Sequence, residues 1–255
     1  MQITPPFGYK EVVPVLKTQR LRLPGPGELP PFVRGSNAVP LSPTEFQPAG
    51  REFPIVFTSN DNGKSFAPVA VLGLASGENL FVNGSGWSAG VYVPAYLRRY
   101  PFCMARVAAP AQGEAKQGEE QPRRLICVEK EHLDEGGEAL FEGDKPTERW
   151  AGIERLLTEY EADLERGREL CAILADYALL EPFTMQAQLP ADKGGEKLNL
   201  TGMHRVSEKN LENLNAAQLK NLVRKGILAR IYLHLISLAN FARLLERRLA
   251  AEGPK

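Results

Sequence analysis

An excess of charge of either sign is missing from this chain. Its 31 lysines and arginines face 31 aspartates and glutamates, so no global field gathers nucleic acid or an anionic lipid surface, and no nucleic-acid partner is expected. Cysteine is scarce. Cys103, Cys127 and Cys171 are odd in number, far apart and never spaced C-x-x-C. That excludes a disulfide framework and a zinc knuckle and suits buried free thiols in a reducing compartment. Histidine is as sparse: His132, His204 and His234 have no H-E-x-x-H spacing, so neither a metal site nor a cofactor is expected.

A bilayer span needs about 20 mostly apolar residues, and the best stretch falls short. Ile231 to Ala242 lacks Asp, Glu, Lys and Arg, but Arg230 and Arg243 bound it and His234 sits inside. A buried helix of a soluble protein is expected there, with no membrane span. The opening MQITPPFGYKEVVP has prolines where a signal peptide needs an apolar run. The expected location is therefore cytoplasmic, the alternative being the cell surface by a route other than general secretion.

Catalytic motifs are also lacking. Gly84-Ser85-Gly86 is the nearest approach to a nucleophile elbow, but Asn83 stands where G-x-S-x-G needs glycine. Gly73 and Gly77 are not followed by a Gly-Lys-Ser/Thr ending. The carboxylate pairs Glu119–Glu120 and Asp134–Glu135 lie in polar, loop-like text, where solvation rather than acid–base work is the default. The expectation leans away from an enzyme.

What is present describes an α+β chain: an antiparallel β-rich N-terminal half packed against a helical C-terminal half, folded as one integrated domain. Half of the 20 prolines precede Arg51, so residues 1–50 read as an extended arm. Residues 51–145 form a β-rich lobe, with short apolar runs between Asn-Asp-Asn-Gly and Asn-Gly-Ser-Gly turns and a mobile loop at 109–121. An internal echo supports it: Gly77-Glu78-Asn79-Leu80-Phe81 returns as Gly137-Glu138-Ala139-Leu140-Phe141, each followed by a tryptophan, Trp87 or Trp150.

Residues 146–255 read as mainly helical. Thr147 caps a helix whose Trp150, Ile153, Leu157, Tyr160 and Leu164 share a face, leaving Glu154, Glu159, Asp163 and Arg166 to water; a second stretch runs through Leu170 and Leu174. A β-hairpin is expected near 183–203. Asn215 and Gln218 make a capping box, and after Gly226 a three-four spacing from Leu228 to Leu249 suggests either docking on the protein's own sheet or a homodimer interface.

The densest cluster is VYVPAYLRRYPF at 91–102. Tyr92, Tyr96, Arg98, Arg99 and Tyr100, with Trp87, have the ingredients of a pocket in which a guanidinium takes a carboxylate while aromatic rings cover the ligand's apolar part. The competing reading is a helical turn whose tyrosines pack on the sheet and whose arginines are structural. Arg205 and Glu208 in GMHRVSE form a second candidate and share a groove with the first in the binding reading, unless they simply pair with each other.

PIVF at 54–57, APVAVLGL at 67–74, ENLFV at 78–82, YVPAYLRRYPF at 92–102, GMHRVSEKNLENL at 202–214 and the GILARIYLHLISLANFARLL ending resemble the SapC family of bacterial proteins, from about Tyr9 to Leu245. The resemblance implies an accessory or surface-layer-associated role, and it carries over no catalytic residue. Combined with the residue reading, it leads to a non-catalytic protein holding a peptide, an acidic small molecule or a partner protein. The alternatives are a surface-layer structural protein and an enzyme or accessory subunit working with an oxidising partner.

Overall fold

The computed structural model describes residues 3–84, 86–107, 123–189, 195 and 197–251. The expected 109–121 loop, Ser85 and most of the Asp192–Gly195 turn lie outside them. The strands used below are, in chain order, β1 (Val12–Pro14), β2 (Ala38–Pro40), β3 (Ile55–Thr58), β4 (Ala67–Val71), β5 (Phe102–Val107), β6 (Arg123–Glu129), β7 (Leu180–Gln188) and β8 (Lys197–Val206). The helices are α1 (Ala95–Arg98), α2 (Glu148–Asp176), α3 (Ala216–Arg224), α4 (Ile227–Ser237) and α5 (Asn240–Ala251). Antiparallel sheets and C-terminal helices make the fold α+β.

Two compact units divide the chain: residues 1–32 with 99–161, and residues 33–98 with 162–255. These cut across the contiguous regions that composition suggested, because strand pairing joins distant segments. The proline-rich arm is shared out. Its β1 pairs with β6 in unit 1, and its β2 pairs with β4 in unit 2. Each short strand of the arm ends in a proline and still finds a ladder for its other backbone groups.

Unit 1 carries the sheet β1-β6-β5. Leu21, Phe102, Val128, Leu140, Trp150 and Leu157 form its buried core. Unit 2 carries the five-stranded sheet β7-β8-β3-β4-β2. Ile55, Val56 and Phe57 are all buried on the central β3, as expected of a strand covered on both faces. The sequence echo yields two small hairpins, Val82–Asn83 with Gly86–Trp87 in unit 2 and Phe141–Glu142 with Lys145–Pro146 in unit 1. A Phe–Trp ring contact lies beside each, Phe81–Trp87 at 6.0 Å and Phe141–Trp150 at 4.9 Å, the second tryptophan standing on α2.

Three helical expectations are revised. First, α2 is one helix of 29 residues starting after Thr147, whose Oγ1 accepts from the Trp150 amide at 3.3 Å. It passes through Gly167, where a Cβ would lie 3.3 Å from Pro43 Cδ; this close approach accounts for a residue that costs a helix interior about 1 kcal/mol. Second, Asp163 is buried. It continues the stripe Tyr160, Asp163, Gly167, Leu170, Leu174 at three- and four-residue steps, so it lies on the inner face.

Third, the terminal helix is broken between α4 and α5. By length and composition, Ile227–Ala251 would suffice to cross a bilayer. In this fold α4 packs on β3 and β8 instead of forming a continuous seam. Buried His234 joins these strands: its Nε2 accepts from the Val206 amide at 3.0 Å, so Nδ1–H donates to the Ile55 carbonyl at 2.7 Å. Burial pushes its pKa down to about 4, which keeps the ring neutral. Ser237 Oγ accepts from the Ile55 amide at 2.9 Å. The polar residues inside the apolar helix therefore satisfy backbone groups of Ile55 and Val206.

Candidate functional site

In unit 2 the turn Ser42-Pro43-Thr44-Glu45 has a capping-box spacing, S-x-x-E. Glu45 is 3% exposed. Its Oε2 accepts from the Ser42 amide at 2.9 Å and from Ser42 Oγ at 2.8 Å. Its Oε1 accepts from the Tyr92 hydroxyl at 2.9 Å and the Ala95 amide at 2.6 Å. Four donors on two oxygens are what a buried carboxylate requires.

Tyr92 passes this anchoring outward. Its hydroxyl donates to Glu45 and accepts from Arg98 Nη2 at 3.2 Å. Burial, reinforced by the Glu45 charge, raises the phenol to about 12, so it remains a donor at any physiological pH. Arg98 Nε donates to the Val93 carbonyl at 3.0 Å, and its guanidinium lies 5.8 Å from the Tyr92 ring centroid. The side-on edge of the fork, Nε with Nη2, is thus occupied within the protein. The end-on edge is left to water on an exposed side chain. Half-buried Trp87 donates Nε1–H to the Tyr92 carbonyl at 3.2 Å, and Tyr96 is buried within α1.

Thr44 holds a second buried carboxylate. Asp163 Oδ2 accepts from the Thr44 amide at 2.9 Å and from its Oγ1 at 2.6 Å, and Oδ1 accepts from Arg166 at 3.0 Å. Burial works against the charge, but hydrogen bonds from Ser42, Thr44 and Arg166 outweigh it and hold the carboxyl below its ordinary value. Sequence reasoning missed Glu45 and misplaced Asp163. The S-x-x-E spacing was the available signal for the first.

The other expected residues lie elsewhere. Arg205 does not pair with Glu208: it is the register partner of Glu181, which its Nε reaches at 2.8 Å, and its guanidinium lies 5.4 Å from the Phe183 ring centroid. Glu208 is exposed in the first turn of the short helix Glu208–Glu212. The contacts of Arg205 therefore run to β7 rather than to the Tyr92–Arg98 cluster.

Arg99 and Tyr100 belong to unit 1. Arg99 is 5% exposed, with its guanidinium 4.9 Å from the Tyr160 ring centroid, 5.8 Å from that of Tyr9, and 3.9 Å from Glu161 Oε1. Tyr100 packs edge-on against His132 at 5.2 Å and Phe32 at 6.0 Å. Burial first, and then the Glu129 charge, raise its hydroxyl to about 12.

The three thiols are unreactive by burial. Cys103, Cys127 and Cys171 are free and buried, their thiols pushed up by burial to about 12, 11 and 12. His204 stands edge-on to Phe66 at 4.9 Å, with Nδ1 buried away from any hydrogen-bond partner among the described residues. Among those residues no three His, Cys, Asp or Glu side chains gather as a metal-binding group.

A family model, SapC, matches residues 25–244, most of the chain. Neither the curated proteins nor the solved structures contain a match.

Proposed function

We propose a function from one premise, that this chain belongs to the SapC family. The protein acts by binding rather than by chemistry, and Arg98 is the group that receives a carboxylate, from a peptide terminus or a small acidic molecule. One observation carries this reading. The Arg98 guanidinium is held on one edge by Val93 and Tyr92, Tyr92 is held by buried Glu45, and no carboxylate among the described residues pairs with Arg98. A fork fixed in this way loses less side-chain entropy when a ligand docks. Tyr92 supplies aromatic surface beside it for the ligand's apolar part.

The test uses N-acetyl-tyrosine and its amide as probes in calorimetric titrations. The acid should bind at least tenfold more tightly than the amide, and Arg98→Ala should erase that preference while leaving the protein folded. Equal affinity for acid and amide, or a preference that survives in Arg98→Ala, sinks the reading. Capture of the protein from its native cell followed by native mass spectrometry would identify the physiological occupant.

A further inference from the structure

We infer that unit 2 holds a second binding site, separate from Arg98, for a small oxyanion, either a phosphate group or a carboxylate. Its place is a cavity of about 210 Å³ lined by Asp163, Arg166 and Glu169 of α2, by Lys225, and by Arg230 of α4. Buried Leu170 and Ile227 give it apolar walls, which strengthen any charge interaction made inside.

The charges do not cancel. Asp163 is saturated by Thr44 and Arg166, and Glu169 is taken by Lys225. Arg230 remains: Nη1 donates to the Gly226 carbonyl at 2.9 Å, and no carboxylate among the described residues answers its charge. Gly226 is shaped to this arrangement. It has φ +67, and a Cβ there would come within 2.7 Å of Arg230 Nη1. Glycine therefore permits both the left-handed turn ahead of α4 and the folded-back guanidinium.

Size narrows the ligand. At about 210 Å³ the cavity is below the ~300 Å³ at which pockets begin to hold drug-sized molecules. Inorganic phosphate or a four-carbon dicarboxylate fits, and an arginine fork matches both chemistries bidentately.

The experiment measures thermal stability and calorimetric binding of the full chain with inorganic phosphate and with succinate, against chloride at matched ionic strength. A saturable rise in melting temperature is expected with at least one probe, since binding to the native state alone stabilises it as RT ln(1 + [L]/Kd). Phosphate alone points to a phosphorylated ligand, succinate alone to a carboxylic acid, and both to either. Arg230→Gln should weaken binding at least tenfold, and so should the charge reversal Lys225→Glu on an exposed side chain. Arg230→Gln and Lys225→Glu should keep the wild-type preference for N-acetyl-tyrosine over its amide, which keeps this site distinguishable from the one proposed above. No shift beyond chloride, or wild-type affinity in both pocket variants, overturns the inference.

Discussion

In unit 1 one arginine, Arg99, is buried; in unit 2 its immediate chain neighbour, Arg98, is exposed. Unit 1 surrounds Arg99 with the faces of Tyr160 and Tyr9 and with Glu161. The ion pair is long at 3.9 Å, and the ring faces add cation–π attraction to it. Unit 2 buries the opposite charge. Glu45 is sealed inside by four donors, and Arg98 stays outside, aligned through Tyr92. Identical residue types therefore serve different ends. Arg99 is enclosed by the rings and carboxylate around it, whereas Arg98 is exposed and held in one orientation.

The contrast can be broken most forcefully at Arg99. Arg99→Ala removes the cation beside a Glu161 that is 8% exposed, and a loss of about 3 kcal/mol is expected. The two tryptophans allow each unit to be followed separately, since Trp150 lies in unit 1 and Trp87 in unit 2. Urea unfolding of the variant, followed by Trp150 in a Trp87→Phe background, should show the shift. A change below 0.5 kcal/mol would mean that Arg99 is no more structural than Arg98.

Acid should probe the other unit. His234 has a folded pKa of about 4 against an ordinary 6.5, so the unfolded chain binds the extra proton between those values. Its contribution is complete above pH 6.5 and is lost as the pH falls toward 4, by about 3 kcal/mol at 1.36 kcal/mol per unit. Trp87 emission in a Trp150→Phe background should report this loss, and His234→Gln should flatten the profile across that window. A profile that is unchanged by the substitution would remove His234 from the account.

Smaller effects separate anchor from ligand group. Tyr92→Phe takes one of four donors from Glu45 and one acceptor from Arg98, so about 1–2 kcal/mol of stability should go, along with affinity for the N-acetyl-tyrosine probe. Arg98→Ala should change stability by no more than about 0.5 kcal/mol while abolishing that affinity. If Arg98→Ala proved as destabilising as Arg99→Ala in the same urea series, the distinction between the two units would collapse.

Local signals carried a good part of the fold. The cap at Thr147, the capping box of Asn215 with Gln218, and the antiparallel pairing of β7 with β8 could be read from spacing, because each depends on residues close along the chain. The echoed Gly-Glu-x-Leu-Phe segments pointed to two similar turn-and-strand pieces, and a short hairpin follows each. Glu45 was only half legible. Its reach back to Ser42 is local, but its second oxygen serves Tyr92, 47 residues on. Arg205 looked like a partner for Glu208 three residues away, whereas strand register set Glu181 opposite it.

By itself, then, the sequence determined the class of fold, the positions of turns and caps, and the family to which the chain belongs, since periodicity, glycine and proline geometry and motif order are properties of neighbouring residues. Only the tertiary structure decided which charges are buried. Arg98 and Arg99 are indistinguishable in composition and context, and Asp163 lies among polar helix residues that do face water. Desolvation and partner distance depend on segments brought together from far along the chain, and these made Arg99, Glu45 and Asp163 interior residues while leaving Arg98 exposed.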